Sequence, residues 1–99
     1  MKVAFHRHFA KDLTKIGSSN AKERIKRAIL DLEEAGSLES FPQIKSMKGA
    51  GAYLRIRVGD YRIGLTREDD GDGVVLLRVM HRSEIYRHFR HTDRISAFT

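Results

Sequence analysis

Residues 53–67 read YLRIRVGDYRIGLTR, so apolar and polar side chains alternate on both sides of Gly59-Asp60. A two-residue turn of this kind between two alternating runs is typical of a β-hairpin. Side chains along a strand point in turn to the two faces of the sheet, so the alternation also assigns each residue to a face. The face predicted to cover the core holds Leu54, Ile56, Val58, Tyr61, Ile63 and Leu65.

The other face of the hairpin is positively charged. The turn places Arg57 directly opposite Arg62, and like charges in that position destabilise a sheet. Arginine binds phosphate bidentately and aromatic rings stack on bases, so the pattern favours a surface for a single-stranded nucleic acid. The alternative is a solvated sheet surface, on which arginine stems cover apolar groups. This surface is named the cationic face, and it holds Tyr53, Arg55, Arg57, Arg62, Gly64 and Thr66.

Sequence patterns before the hairpin predict a strand and two helices. Residues 2–6 read as a short strand, and Phe9, Leu13 and Ile16 recur as one stripe of a helix. The spacing of a polar cap and a Glu in residues 20–23 predicts the start of a second helix. Because few residues join the two helices, we expect an antiparallel helical hairpin.

Residues 74–80 predict a further strand after the hairpin. Alternation would place Val75, Leu77 and Val79 on the core face. It would place Arg78, Met80 and Arg82 on the cationic face. We therefore predict one α+β domain over residues 1–99. It has an N-terminal strand and an antiparallel helical hairpin packed on a mostly antiparallel β-sheet, with a short C-terminal helix or tail.

Composition narrows the function classes. The 99 residues carry a net charge of +6, which favours polyanionic partners such as RNA, DNA or an acidic protein. The lack of Cys excludes disulfides and Cys-bound zinc. The histidines have no acidic partner at metal-binding spacing, so we predict no cofactor and no metal. The charged residues 1–10 and the lack of a long apolar run predict a cytoplasmic protein without a secretory signal or a membrane span.

Three blocks of the sequence resemble the RelE/ParE toxin superfamily: residues 44–49 (IKSMKG), residues 53–63 (YLRIRVGDYRI) and residues 79–87 (VMHRSEIYR). The resemblance implies a microbial RNase-like fold and a toxin that a cognate antitoxin neutralises. RelE-like members cut mRNA in the ribosomal A site, whereas ParE-like members inhibit DNA gyrase. The sheet cations together with the terminal His-Arg pair and Tyr make this chain more similar to the RelE branch.

The resemblance also implies roles for individual residues. Arg55, Arg57 and Arg62 match the cations that grip the scissile phosphate, and Tyr86 matches a base or a stacking residue. The family's group at the end of the last strand corresponds to either His81 or Arg82. The predicted catalytic residues are therefore Arg55, Arg57, Arg62, His81, Arg82 and Tyr86, and the predicted RNA-binding residues are Lys45, Lys48, Tyr53 and Arg78.

These residue types fit RNA cleavage without a metal. That reaction uses the 2′-OH as nucleophile and needs a base, cations around the phosphate, and an acid for the departing oxygen. His81 is the better acid by intrinsic chemistry, because an unperturbed His titrates at about pH 6.5. Arg82 would instead stabilise the leaving oxygen by its charge. The alternative for His81 is a hydrogen-bonded scaffold residue, and for Tyr86 a half-packed helix residue.

The predicted function is that of a type II toxin acting as a metal-independent endoribonuclease on mRNA bound to the ribosome. The alternatives are a gyrase inhibitor that is not an enzyme, and an inactive toxin that only binds its antitoxin. We expect the cognate antitoxin to cover the sheet and residues 85–98. That segment carries the apolar residues Ile85, Phe89, Ile95 and Phe98, which would otherwise be exposed.

Overall fold

The structure, a computed structural model, describes residues 1–41, 44–46, 53–68 and 73–85. A five-stranded sheet has the order β1-β5-β4-β3-β2, and only the β1–β5 pair is parallel. This arrangement confirms the predicted α+β class. The elements are β1 (Lys2–Phe5), α1 (Arg7–Lys15), α2 (Ser19–Glu34), a 3₁₀ turn (Leu38–Ser40), β2 (Ile44–Ser46), β3 (Leu54–Val58), β4 (Tyr61–Arg67) and β5 (Gly73–His81), followed by a helical turn at residues 82–85.

Both helices begin at side-chain caps. The Nδ1 of His6 accepts a hydrogen bond from the His8 backbone N–H at 3.2 Å, and the hydroxyl of Ser18 accepts one from the Ala21 N–H at 3.1 Å. The predicted start of the second helix at residues 20–23 is therefore wrong. The Ser18 hydroxyl satisfies a first-turn amide earlier in the chain, so the helix already begins at Ser19.

The β3–β4 hairpin has the predicted register. Arg57 pairs with Arg62, and Arg55 pairs with Gly64. Gly59 has a φ of 60°, which is the left-handed conformation that the tight turn requires. The predicted core face lies beneath the helices, where Ile56, Ile63 and Leu65 are at most 1 % exposed.

A β-bulge on β5 changes the predicted faces of that strand. Gly64 pairs with Arg78 but Leu65 pairs with Leu76, so Leu77 is an extra residue without a cross-strand partner on β4. The predicted apolar face of Val75, Leu77 and Val79 is therefore wrong. The main core instead contains Val74, Leu76 and Val79.

A second, smaller apolar cluster lies on the opposite side of the sheet from the helices. It is formed by Leu77 and Ile85, with Tyr53, Val75 and Met80 packed against them. Ile85 is 0 % exposed because the helical turn after β5 folds it onto the sheet. The expectation that Ile85 is an exposed apolar group is therefore wrong, and residues 86–98 of the expected antitoxin surface lie outside the described residues. None of the helices in the described ranges is long and apolar enough to cross a membrane.

Candidate nucleic-acid interface

Four neighbouring strands place cations on the cationic face in two cross-strand rows. Residues that pair across neighbouring strands share a sheet face, so each row is a line of side chains on one side of the sheet. The first row contains Arg57, Arg62 and Met80, and the second contains Lys45, Arg55, Gly64 and Arg78.

The guanidinium of Arg62 is held at the β3–β4 turn. Its Nη1 donates hydrogen bonds to the backbone oxygens of Gly59 and Tyr61, both at 2.9 Å. Arg57, directly opposite, is exposed to solvent. The structure therefore brings two of the predicted phosphate-binding arginines side by side. The turn orients Arg62, whereas Arg57 is exposed. Their contact with RNA stays a prediction.

The second row extends the positive charge to the edge of the sheet. Lys45 is exposed on β2, opposite Arg55, which is half-buried. Gly64 follows Arg55 in the row and is buried. Tyr53 is half-buried and packs against the second apolar cluster, so its ring lies at one end of the cationic face.

Arg78, the last member of that row, forms an ion pair that the sequence did not reveal. Its Nε lies 2.6 Å from Asp12 Oδ2 and its Nη2 lies 2.9 Å from Asp12 Oδ1, which is a bidentate geometry. The backbone N–H of Val79 also donates to Asp12 Oδ2 at 3.1 Å. The two side chains are 17 % and 8 % exposed. Any RNA phosphate at Arg78 would compete with a partly buried carboxylate, and its predicted RNA contact stays untested.

One signal in the sequence could have indicated the role of Asp12. It lies three residues after Phe9 and one before Leu13, within the apolar stripe of α1. An acidic residue on the buried side of a helix needs a cationic or hydrogen-bonding partner. The sequence could not have shown which partner, because Arg78 is 66 residues away.

His81 lies on the core side of the sheet, not on the cationic face. It pairs with Tyr61, and the two rings meet edge-on with centroids 5.9 Å apart, while Met80 takes the position opposite Arg62. The His81 Nδ1 accepts the Ser83 backbone N–H at 3.2 Å and lies 2.9 Å from the Ser83 hydroxyl oxygen. These bonds cap the helical turn, as expected for the scaffold alternative, and they leave Nε2 to carry the proton of the neutral ring.

Arg82 is attached to the same turn as Arg62. Its backbone N–H donates to the Asp60 oxygen at 2.8 Å, and its side chain is exposed. The two alternatives for the strand-end group are His81 and Arg82. Of these, Arg82 is bonded to the turn that also holds the Arg62 guanidinium. The predicted base Tyr86 and the predicted RNA contact Lys48 lie outside the described residues.

The N-terminal histidines form a stacked pair and not a larger cluster. The rings of His6 and His8 have centroids 4.8 Å apart. Desolvation lowers the pKa of His8, and the nearby positive charges of His6 and Arg78 lower it further. Among the described residues, no group of three or more His, Cys, Asp or Glu side chains is arranged to hold a metal ion.

Comparisons with known proteins agree with this architecture. Residues 3–86 match the family described as ParE toxin of type II toxin-antitoxin system. The chain is 42% identical over 90 residues to Toxin RelE3 of Methanocaldococcus jannaschii, covering 90% of this chain and 99% of the relative. The toxin in the RelB-RelE antitoxin-toxin complex from Methanococcus jannaschii superposes with a TM-score of 0.69 at 37% identity, covering 87% of this chain and 98% of that one. The intact E. coli RelBE complex shares the fold, with a TM-score of 0.60 at 20% identity over 80% of this chain and 93% of that one.

Two helices and a five-stranded sheet with paired arginines on one face, together with the structural match, define this protein as a type II toxin in fold. The family match extends over most of the sequence, and the archaeal relative is similar over nearly its whole length. The chain belongs to the RelE/ParE toxin superfamily.

Proposed function

We propose that this toxin is a metal-independent endoribonuclease that cleaves mRNA in the ribosomal A site by attack of the 2′-OH. The observation that carries the proposal is the Arg57–Arg62 pair, in which two arginines occupy directly opposite positions on one sheet face. Such a pair is unfavourable in an isolated sheet and becomes favourable when a phosphate lies between the two charges.

The chemistry assigns a role to each group on this face. Attack of the 2′-OH places two negative charges on the pentacoordinate phosphate, and Arg57 and Arg62 stabilise them. Arg55 and Lys45 hold the neighbouring phosphates of the strand. Tyr86 is the base or stacks on a base of the RNA.

The departing 5′-oxygen needs a cation or an acid, and Arg82 and His81 remain the two candidates. The anchoring of Arg82 at the Gly59-Asp60 turn favours stabilisation of this oxygen by charge. For His81 to act as the acid, its Nε2 must donate the proton from the other side of the sheet end. In the imidazolium, Nδ1 would donate to the Ser83 hydroxyl and would no longer accept the hydrogen bond from the Ser83 backbone N–H.

The proposal includes a protein partner. The Methanococcus jannaschii relative was solved as a complex of RelE with the antitoxin RelB. We infer that this toxin is likewise neutralised by a cognate antitoxin that covers the cationic face. Inhibition of DNA gyrase is the second candidate function, because the family that matches residues 3–86 is named after ParE.

Two measurements test the enzymatic proposal. The protein is first induced in a bacterium, and the 5′ ends of mRNA are mapped to locate the cut. Purified toxin is then incubated with ribosomes programmed with that mRNA, either unmodified or carrying one 2′-deoxynucleotide at the cut. We expect the unmodified mRNA to yield a 2′,3′-cyclic phosphate or its 3′-phosphate product, and the modified mRNA to stay intact. Cleavage across the deoxy position would exclude attack by the 2′-OH.

The same induction separates the second candidate. A gyrase inhibitor would leave mRNA 5′ ends unchanged while arresting growth and altering the supercoiling of a reporter plasmid. Growth arrest with new mRNA ends and normal supercoiling is the result expected for the endoribonuclease.

A further inference from the structure

Helix α2 reaches the β3–β4 turn from the core side of the sheet, opposite the cationic face. A Cβ at Gly59 would lie only 2.7 Å from Nη1 of Arg24, so the Arg24 guanidinium lies directly over the Gly59 α-carbon. On the other side, the Gly59 oxygen accepts the hydrogen bond from Arg62. One turn therefore holds two guanidinium groups, and one of them belongs to a residue with no assigned role.

The charge of Arg24 is not compensated by the helix. Lys26 lies 4.0 Å from Glu23, and Arg27 lies 3.5 Å from Asp31. Arg24 has no acidic residue three or four positions away, and it makes no ion pair within the part of the chain that the structure describes. Its side chain is exposed. Arg24 thus presents a full positive charge at the turn.

A groove lies beside this charge. It has a volume of about 560 Å³, which is within the range of about 300–1,000 Å³ that is common for ligand sites. It is open because β2 pairs only with Leu54–Ile56, so that the edge of β3 is uncovered from Arg57 onward. Its lining includes three arginines, Arg24, Arg27 and Arg57, and one acidic residue, Asp31, which pairs with Arg27.

We propose that this α2–β3 groove binds a phosphodiester of the RNA strand, with Arg24 as its main anion-binding residue. The inference rests on the proposed function and adds to it a second phosphate site, outside the cationic face. Arg57 lines the groove and also lies on the cationic face. A single RNA backbone can therefore pass from Arg62 and Arg57 around the sheet edge to Arg24, and each contact neutralises one phosphate.

Binding of a cleavage-resistant RNA tests the proposal separately from cleavage. The RNA carries a 2′-deoxynucleotide at the mapped cut, and its affinity for the full toxin is measured by fluorescence anisotropy at several salt concentrations. Loss of one phosphate contact to single-stranded RNA reduces the magnitude of the negative slope of log K against log salt by about 0.7. We expect this decrease, and weaker binding at low salt, for Arg24→Gln.

Matched variants separate a phosphate contact from a structural role. Lys26→Gln removes a cation of the same helix that does not line the groove and whose charge Glu23 already compensates, so its slope should stay near that of the wild type. Arg24→Lys keeps the charge and should restore the slope, while thermal unfolding checks that each variant is folded.

Three results would overturn the inference. The first is an unchanged slope for folded Arg24→Gln while the wild type binds RNA, which leaves the proposed function intact. The second is a loss of affinity for the antitoxin alone, which would make the groove a protein-binding site. The third is a wild type that binds no RNA at any salt concentration, which overturns this inference, whereas the proposed function is tested separately by cleavage on programmed ribosomes.

Discussion

Arg57 and Arg62 are like charges in directly opposite positions, an arrangement that lowers stability and that a bound phosphate would make favourable. Two like charges directly opposite each other on a sheet are destabilising by roughly 0.2–1 kcal/mol. The hydrogen bonds from Arg62 to the Gly59 and Tyr61 oxygens draw its guanidinium toward the turn and reduce the repulsion. The same bonds hold the Arg62 guanidinium in place before a phosphate arrives, and a preorganised cation of this kind is what transition-state stabilisation requires.

We therefore predict opposite effects on activity and on stability at this pair. Arg57→Ala or Arg62→Ala should lower the rate of mRNA cleavage by about 10²–10³-fold, as the loss of one charge-stabilising donor does in other enzymes. Arg57→Ala should leave the thermal unfolding temperature unchanged or higher, because it removes the repulsion. The measurements are single-turnover cleavage on programmed ribosomes and calorimetry.

Arg67→Ala is the matched control, since Arg67 is an exposed arginine at the far end of the same strand. It should retain nearly full cleavage. If folded Arg57→Ala and Arg62→Ala both cleave at the wild-type rate, neither residue contacts the reacting phosphate.

At the scale of elements, Asp12 joins α1 to the open edge of β5. The parallel pairing of β1 with β5 ends where the His6 N–H donates to the Leu76 oxygen at 2.9 Å. Beyond that point the Val79 N–H has no β1 residue to bond, and the Asp12 carboxylate takes the place of a strand. The same carboxylate binds the Arg78 guanidinium, so one side chain satisfies two groups at the edge of the sheet.

Removal of Asp12 should destabilise the fold strongly. Asp12→Ala leaves the partly buried Arg78 guanidinium without its carboxylate, and breaking a buried pair in this way costs about 3–5 kcal/mol. Urea denaturation should show this decrease in the free energy of unfolding. Glu23→Ala, which breaks an exposed pair on α2, should change that free energy by less than about 1 kcal/mol.

A double variant distinguishes the ion pair from general packing. Asp12→Ala combined with Arg78→Met removes both charges, so it should be more stable than Asp12→Ala alone. If the double variant loses as much free energy of unfolding as the two single variants lose together, the two residues are not energetically coupled.

The elements also show what the sequence could predict. The hairpin register followed from strict alternation around Gly59-Asp60, because a slip of one residue would move every apolar side chain to the wrong face. The bulge at Leu77 could not be predicted, since residues 74–77 are all apolar and fit either face. The short strand β2 falls in residues 37–52, where no alternating pattern indicates it.

The candidate site could be predicted only where its residues lie in the alternating hairpin. Arg55, Arg57 and Arg62 could be assigned to one face because they lie in the alternating hairpin. The face of His81 could not be assigned, because it depends on the register across the bulge and on the bonds to Ser83. The Asp12–Arg78 pair was missed because it joins residues 66 positions apart.

At the scale of the whole molecule, the charge is unevenly distributed. The net charge of +6 results from 19 Lys and Arg residues against 13 Asp and Glu residues. Lys45, Arg55, Arg57 and Arg62 share one sheet face, on which the described strands place no acidic side chain. An acidic partner is therefore attracted to the surface that we propose holds RNA, which makes the two ligands competitors.

This competition predicts how the antitoxin neutralises the toxin. The product of the gene adjacent to this one should carry an acidic segment, bind the toxin, and prevent RNA binding in proportion to its occupancy. Association should slow by tenfold or more between low and high salt, because electrostatic steering is screened as ionic strength rises. Stopped-flow mixing of toxin and antitoxin at several salt concentrations measures this rate.

Arg57→Ala should slow association at low salt more than Arg67→Ala does, since only Arg57 lies on the cationic face. A toxin that stays monomeric and harmless in cells, and gains no affinity for the adjacent gene product, would contradict both the partner and the surface assigned to it.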